Sequence, residues 1–395
     1  MLLGVVCGVW LTIAARSGSE VAVSPGFLES GPGLGTPDVT VFMTACAAGL
    51  AVATGVVGSA GRLRSRRPRV KPEARLRIGT RGSPLALAQA RDVESRAREQ
   101  LQQGGEIDIC VISTEGDRIL DRALADVGGK GLFTKELDRA LLSGEVDCCV
   151  HSMKDVPTTV APGTEIVAYL PREDTRDVFL SAKYATLADL PDGAVVGTAS
   201  LRRQAQILAQ KNVVVTNFRG NVQTRLRKLA AGTVDCTFLA YAGLKRLGML
   251  AEATQVLEWS DMLPAIAQGA VGIQIRSNDA ALRGTLSQLD HEPTRLAVET
   301  ERAFLRALDG SCRTPIAGQA WIGPDSRLAF RGQVLSADGK QRFERVGDCL
   351  PCDGPELGKT LGDDLRREAG EEFFAELQRA ASEHAAANAP PARVP

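Results

Sequence analysis

Between Gly197 and Ala230 the chain carries seven basic residues (Arg202, Arg203, Lys211, Arg219, Arg225, Arg227 and Lys228) and no Asp or Glu. A cationic run without acids points to a bound anion. Carboxylates suit it best, because the planar guanidinium fork donates two parallel hydrogen bonds to a carboxylate. Several of these arginines follow short β-branched runs and sit beside Gly, Ser or Asn, where helix N-termini and loop amides also favour anions. A solvated helix face accounts equally well for Arg227, Lys228, Lys211 and one of the pair Arg202 and Arg203. Adjacent helical residues point about 100° apart, so both members of that pair reach one ligand only from a loop or a first helical turn. Nucleic acid is a poor candidate, since Phe218 is the only aromatic side chain in the segment and stacking platforms need more.

A second group is His151-Ser152-Met153-Lys154-Asp155-Val156-Pro157, directly after the apolar run VDCCV. A carboxylate in a cleft otherwise lined by arginine stays ionised and is able to stabilise a developing cation or relay protons. A surface ion pair between Lys154 and Asp155 is the plainer alternative. His151 reads as structural, and the loop Gly128-Gly129-Lys130-Gly131, flexible with one cation, is a weak signal alone. The third group is Gly310-Ser311-Cys312-Arg313-Thr314-Pro315, a turn expected between a helix and a strand. Cys312 is more exposed there than Cys148, Cys149 and Cys236 in their apolar runs, and Arg313 favours the thiolate that forms covalent bonds. An inert loop cysteine fits the same residues. Cys349 and Cys352 make a lone C-x-x-C with no second pair and no neighbouring His, so no metal site is expected.

The elements that must position these groups follow from length and pattern. A chain of 395 residues is too long for one ordinary core. With 44% hydrophobic and 24% charged residues it reads as a globular enzyme rather than a disordered chain. Its formal charge of zero leaves no global field for nucleic acid or an acidic membrane, and its nine unevenly spaced cysteines favour reduced thiols. The segment LRIG (76–79) predicts a strand running into Thr80-Arg81-Gly82-Ser83, with Pro84 starting a helix over 85–101. A strand over 107–112, a helix over 132–142 and the strand 146–150 follow, an α/β pattern with mainly parallel sheets. The pattern restarts near Thr175, with strands before Gly197, Arg219 and Ala242, each leading into a helix. The run AVGIQIR (270–276) predicts a strand that returns to the first domain, so that two segments cross. A third unit has a helix over 294–308, alternating strands over 317–343 and a last helix through Leu377, with disorder expected after Ala380.

Upstream, the uncharged apolar runs 2–15 and 41–57 precede the basic cluster Arg62, Arg64, Arg66, Arg67, Arg69 and Lys71. They read as a removable multi-part organelle address; a membrane anchor or a misplaced start codon are the alternatives.

Taken together, these features resemble hydroxymethylbilane synthases, also called porphobilinogen deaminases, over roughly residues 75–385. Eight blocks in family order carry the likeness: RIGTRGSPLALAQA (77–90), GGKGLFTKEL (128–137), VHSMKDVPT (150–158), GTASLRRQAQ (197–206), RGNVQTRL (219–226), LAYAGLKRLG (239–248), PAIAQGAVGI (264–273) and ERAFLRALDGSCRTPIA (301–317). The resemblance implies two α/β domains like those of type II periplasmic binding proteins, plus a smaller C-terminal α+β domain carrying the cofactor cysteine. It implies a covalent dipyrromethane on Cys312, onto which four porphobilinogen units are deaminated and joined, with Asp155 stabilising positive charge as ammonia leaves. Acetate and propionate groups would be bound by Arg81, Ser83, Lys130, Ser200, Arg202, Arg203, Arg219, Arg225 and Arg246. Each pyrrole brings two carboxylates, which agrees with the imbalance at 197–230. Two positions depart from the family pattern. Ala267 replaces a common Gly and is tolerable if its φ is negative, and Asp126 stands where some bacterial members have Lys.

The expected organisation is a presequence over 1–73, domain 1 over 74–172 and 268–288, domain 2 over 173–267, domain 3 over 289–380 and a tail over 381–395. The expected protein is a monomer acting on porphobilinogen, without nucleic acid or stable membrane association, addressed to a plastid, with mitochondrion or cytoplasm as alternatives. A two-lobed anion receptor without chemistry and an inactive paralogue are the rivals; neither explains Cys312 together with Asp155.

Overall fold

A computed structural model of the chain describes residues 75–100, 106–114, 131, 133–310 and 314–387, with side chains through residue 380. The presequence, Asp126, Lys130, Cys312 and the end of the tail lie outside the described residues.

The first sheet contains β1 (Leu76–Thr80), β2 (Ile107–Val111), β3 (Cys148–Ser152), β4 (Thr164–Tyr169) and β10 (Val271–Arg276), in the order β2-β1-β3-β10-β4. The second contains β5 (Asp177–Leu180), β6 (Val195–Gly197), β7 (Val214–Thr216), β8 (Cys236–Ala240) and β9 (Gln255–Val256), in the order β7-β6-β8-β5-β9. Each sheet is parallel apart from one strand, β10 in the first and β5 in the second. In both cases the odd strand is the first laid down after the chain crosses between sheets. Parallel neighbours need a long crossover, usually helical, whereas the crossing segments arrive without a helix, so each enters its sheet antiparallel. The two lobes thus share one topology, that of a two-lobed binding-protein-like fold.

Covered faces explain the apolar runs. Along β5, Phe179 packs with Val196 and Phe238, while Val178 and Leu180 pack into a separate cluster with Phe218 and Leu239. Burial pushes the Cys148 and Cys236 thiols up to about 12 and Cys149 well above its ordinary value, so these cysteines are inert packing residues.

The helices of the lobes among the described residues are α1 (Pro84–Gln100), α2 (Lys135–Leu142), α3 (Leu201–Leu208), α4 (Val222–Ala230), α5 (Tyr241–Arg246) and α6 (Ala280–Leu286). Helix α2 starts three residues later than the sequence suggests, because Gly131 at φ 86 and Thr134 form a turn ahead of it. The third unit is α7 (Glu292–Ala307), the antiparallel meander β11 (Ile316–Ile322), β12 (Leu328–Leu335) and β13 (Arg342–Cys349), and α8 (Gly354–Ala387), broken at Gly370 with φ 80. Helix α7 begins at Glu292, ahead of the expected Thr294, since the His291 ring accepts the Thr294 N–H at 3.3 Å and caps it. Helix α8 continues to Ala387, past Ala380 where the sequence predicts the tail to begin. The α7 and α8 faces pack on the meander through Phe304, Phe330, Leu365 and Phe373, with Phe304 and Phe330 ring centroids 4.9 Å apart. Met153, Val156, Ile266, Ala267 and Ala270 join the same core, so it runs from the third unit into the crossovers and the segment beside Asp155.

Candidate active site

Strand β3 ends at Ser152 and passes into a single 3-10 turn, Met153–Asp155. This puts Asp155 at the carboxyl end of a central strand, where open α/β sheets bind ligands. Its carboxylate stands 3.9 Å from the Arg81 guanidinium, which stacks at 3.9 Å over the Phe133 ring. Ser83 caps α1 by accepting the Ala86 N–H at 3.2 Å. Arg81, Ser83, Gln89, Phe133, Lys154 and Asp155 line one pocket. Gln89 and Ser152 hydrogen bond across it at 2.8 Å.

From the second lobe, Arg202 and Arg203 occupy the first turn of α3, behind the N-cap Ser200. That is the placement the pair needs to reach one anion, but the anion they reach is Asp177. Its fully buried carboxylate takes Arg202 Nη2 at 2.7 Å and Arg203 Nη2 at 2.8 Å. Burial opposes its charge, yet Arg202 and Arg203 outweigh it and hold the Asp177 carboxyl far below the usual range. Asp177 at the start of β5 thus supplies an internal counter-charge to Arg202 and Arg203. Arg225 remains strongly cationic in company. Burial, then Arg203 and Arg219, push it down to about 10, with Asp155 pulling the other way. The Arg219 backbone is held by Lys228, whose Nζ donates to its carbonyl at 3.2 Å.

Lys154 was not assigned a role from sequence, yet it joins the lobes. Its Nζ donates to Gln268 Oε1 at 3.4 Å, and the fully buried Gln268 donates to Asp177 Oδ1 at 2.9 Å. Burial, reinforced by Arg203 and Arg202, pushes Lys154 down to about 8. His151 is buried with Nε2 2.7 Å from Gln274 Oε1, a structural contact. Arg246 is placed apart from the others, with Nη2 donating to Gly269 O at 2.8 Å on the returning crossover. Arg227 and Lys228 are exposed on α4, and no cluster of three metal-ligating side chains occurs among the described residues.

The crossovers themselves are pinned from the third unit. Glu301 on α7 is fully buried and takes Arg172 in a bidentate pair at 2.7 and 2.9 Å, and it also accepts the N–H of Ala267 and of Ala320. Ala267 has φ 60, so the condition of a negative φ fails; the residue sits in the left-handed region with its N–H tied down. At Gly269, with φ 85, a Cβ would meet the Glu173 carbonyl oxygen, which only glycine avoids.

Fold and cleft together define a two-lobed α/β protein with a cation-rich cleft at the strand ends. A family model described as porphobilinogen deaminase, dipyromethane cofactor binding domain, matches residues 76–284, and one described as porphobilinogen deaminase, C-terminal domain, matches residues 295–367. The chain is 54% identical over 308 residues to the chloroplastic porphobilinogen deaminase of Pisum sativum, covering 76% of this chain and 84% of that one. It is 55% identical to the chloroplastic porphobilinogen deaminase of Oryza sativa subsp. japonica, covering 77% and 86% of the two chains. With the porphobilinogen deaminase of Paracoccus denitrificans (strain Pd 1222) the identity is 50%, covering 77% and 97%. The chain belongs to the porphobilinogen deaminase family.

The cleft residues fit the dipyrromethane the family model names. Arg81 and Lys154 stand beside Asp155, Arg202 and Arg203 pair with Asp177, and Arg225 lies within electrostatic reach of Asp155, so among the described cleft residues cations outnumber acids.

Proposed function

We propose that this chain is a hydroxymethylbilane synthase of tetrapyrrole biosynthesis, joining four porphobilinogen units head to tail with release of ammonia. The observation that carries the reading is the Asp155 carboxylate at 3.9 Å from Arg81 within a cleft where cations exceed acids, in a chain matched by both family domains. Asp155 accepts the pyrrole N–H and favours positive charge as ammonia departs. Arg81, Ser83, Lys130, Ser200, Arg202, Arg203, Arg219, Arg225 and Arg246 receive acetate and propionate groups; Asp177 keeps Arg202 and Arg203 directed at one place between turns. Cys312 holds the dipyrromethane through its sulfur. When bound, that group supplies the terminal pyrrole carbon to which the first new unit is joined.

The mature protein acts as a monomer in a plastid. The basic presequence supports that address, as do the chloroplastic names of the pea and rice relatives. No helix among the described residues is long and apolar enough to cross a membrane.

Intact mass of the purified chain beside its Cys312→Ser variant tests the reading. The expected result is an excess of two pyrrole units in the wild type alone. Bare sequence mass in both, even after incubation with porphobilinogen, overturns it.

A further inference from the structure

The backbone that follows Asp155 is gripped from the third unit. Arg302 Nη1 donates to the Val156 carbonyl at 3.0 Å and its Nη2 to the Pro157 carbonyl at 2.5 Å. One turn further along α7, Arg306 Nη2 donates to the Thr158 carbonyl at 2.9 Å. Three successive carbonyls are thus held by two side chains on one helix face. Arg302 is buried, and both of its hydrogen bonds described here go to carbonyl oxygens. Burial is the main influence on its guanidinium and lowers its pKa. A buried cation satisfied by peptide dipoles rather than a carboxylate is an unusual arrangement for mere surface-to-surface adhesion. It binds strongly to one backbone geometry, because the planar fork has fixed donor directions.

That geometry is the one that aims Asp155. Val156 precedes a proline and is therefore confined to the extended region, which it occupies at φ −87 and ψ 126. Its side chain is buried in the core shared with α7. On the opposite side, Met153 N–H donates to Ala270 O at 3.0 Å, fixing the start of the turn to the returning crossover. The Met153–Asp155 turn is therefore held at its start by the returning crossover and just past its end by helix α7. Helix α7 leads directly to Gly310, where a Cβ would meet Leu305 and Ile316.

We propose that Arg302, assisted by Arg306, is a positioning residue that sets the location of the Asp155 carboxylate in the cleft by holding the backbone that follows it against α7. The proposal rests on the reading of Asp155 as the catalytic carboxylate and Cys312 as the attachment point.

The test uses the full chain as Arg302→Met, Arg302→Lys and Arg306→Met, with intact mass and kcat and KM for porphobilinogen measured for each. All variants are expected to carry the two-pyrrole mass. Misplacement by about 1 Å is able to lower turnover about 100-fold, so Arg302→Met is expected to lose roughly that in kcat with KM changed less than about threefold. Arg302→Lys restores part of the loss, because an ammonium still donates to one carbonyl but lacks the fork. Arg306→Met, at an exposed position, lowers kcat about three- to tenfold without affecting folding. Unchanged kcat in Arg302→Met overturns the proposal, as does a loss that appears in KM alone or as a smaller active fraction with normal kcat. Should Arg302→Met fail to fold, an unchanged kcat in Arg306→Met overturns it. A wild-type chain bearing no pyrroles sinks the functional reading itself, a result distinct from any of these.

Discussion

Replacing Asp177 with Asn removes one charge from the centre of the cleft and keeps the shape. In the native chain this carboxylate is 0% exposed, and the two arginines that it joins are 5% and 6% exposed. Arg202 and Arg203 keep one carbonyl each, Leu263 O and Phe238 O, both at 2.7 Å. Neither keeps a counter-ion, and Arg225 adds to the repulsion. Removing one partner of a buried ion pair costs about 3–5 kcal/mol; with two arginines dependent on one carboxylate, the upper half of that range is expected. Urea unfolding measures it. The sign of the pH dependence follows from the depressed pKa of Asp177. A carboxylate whose folded pKa is lowered stabilises above its unfolded pKa of about 3.9 and loses that contribution as pH falls through the folded value. The gap between wild type and Asp177→Asn should therefore be constant from neutral pH down to about 4 and shrink only below it. A gap under about 1 kcal/mol at pH 7, or one that closes between pH 7 and 5, refutes the assignment of Asp177 as the internal counter-ion.

Three further outcomes are expected. Glu301→Gln leaves the half-buried Arg172 without its bidentate partner and should lower stability by about 3 kcal/mol in urea; an effect below about 1 kcal/mol would show the crossovers are held by packing alone. Ala267→Gly relieves left-handed strain of roughly 1–2 kcal/mol while losing a buried methyl and adding chain entropy, so stability should stay within about 1 kcal/mol of wild type. Ala297→Gly inside α7 should instead lose about 1 kcal/mol or more, and equal losses at the two sites contradict the strained backbone. Lys154, pushed down to about 8, should impose an alkaline limb on kcat/KM near that pH as its ammonium is lost. Lys154→Arg should move that limb upward, and a profile unchanged by the substitution removes Lys154 from the binding cleft.

Much of the architecture was legible because it depends on neighbours in the chain. The strand-loop-helix alternation, the return of Val271–Arg276 to the first sheet and the inert buried cysteines all follow from apolar runs and turn residues. The place of Asp155 was legible as well, since a charged residue directly after a buried strand emerges at the strand's end. Helix ends were read less well where an uncommon cap decided them, as His291 does for α7.

By itself, then, the sequence determined the element pattern, the family and the existence of a cationic cleft, because local propensity, periodicity and charge composition are properties of consecutive residues. Only the tertiary structure decided which charges are spent inside the protein. Asp177 meets Arg202 across 25 residues, Lys154 reaches Gln268 across 114, and Arg302 holds Val156 across 146. A window over residues 197–230 sees seven cations and no acid, and it cannot see a carboxylate delivered by a neighbouring strand. The backbone of Ala267 is decided in the same way, because its φ of 60 is imposed by a crossover whose N–H is tied to Glu301 on another unit. Electrostatic partners and imposed dihedrals depend on distances through space, and those exist only once the sheets and α7 have packed.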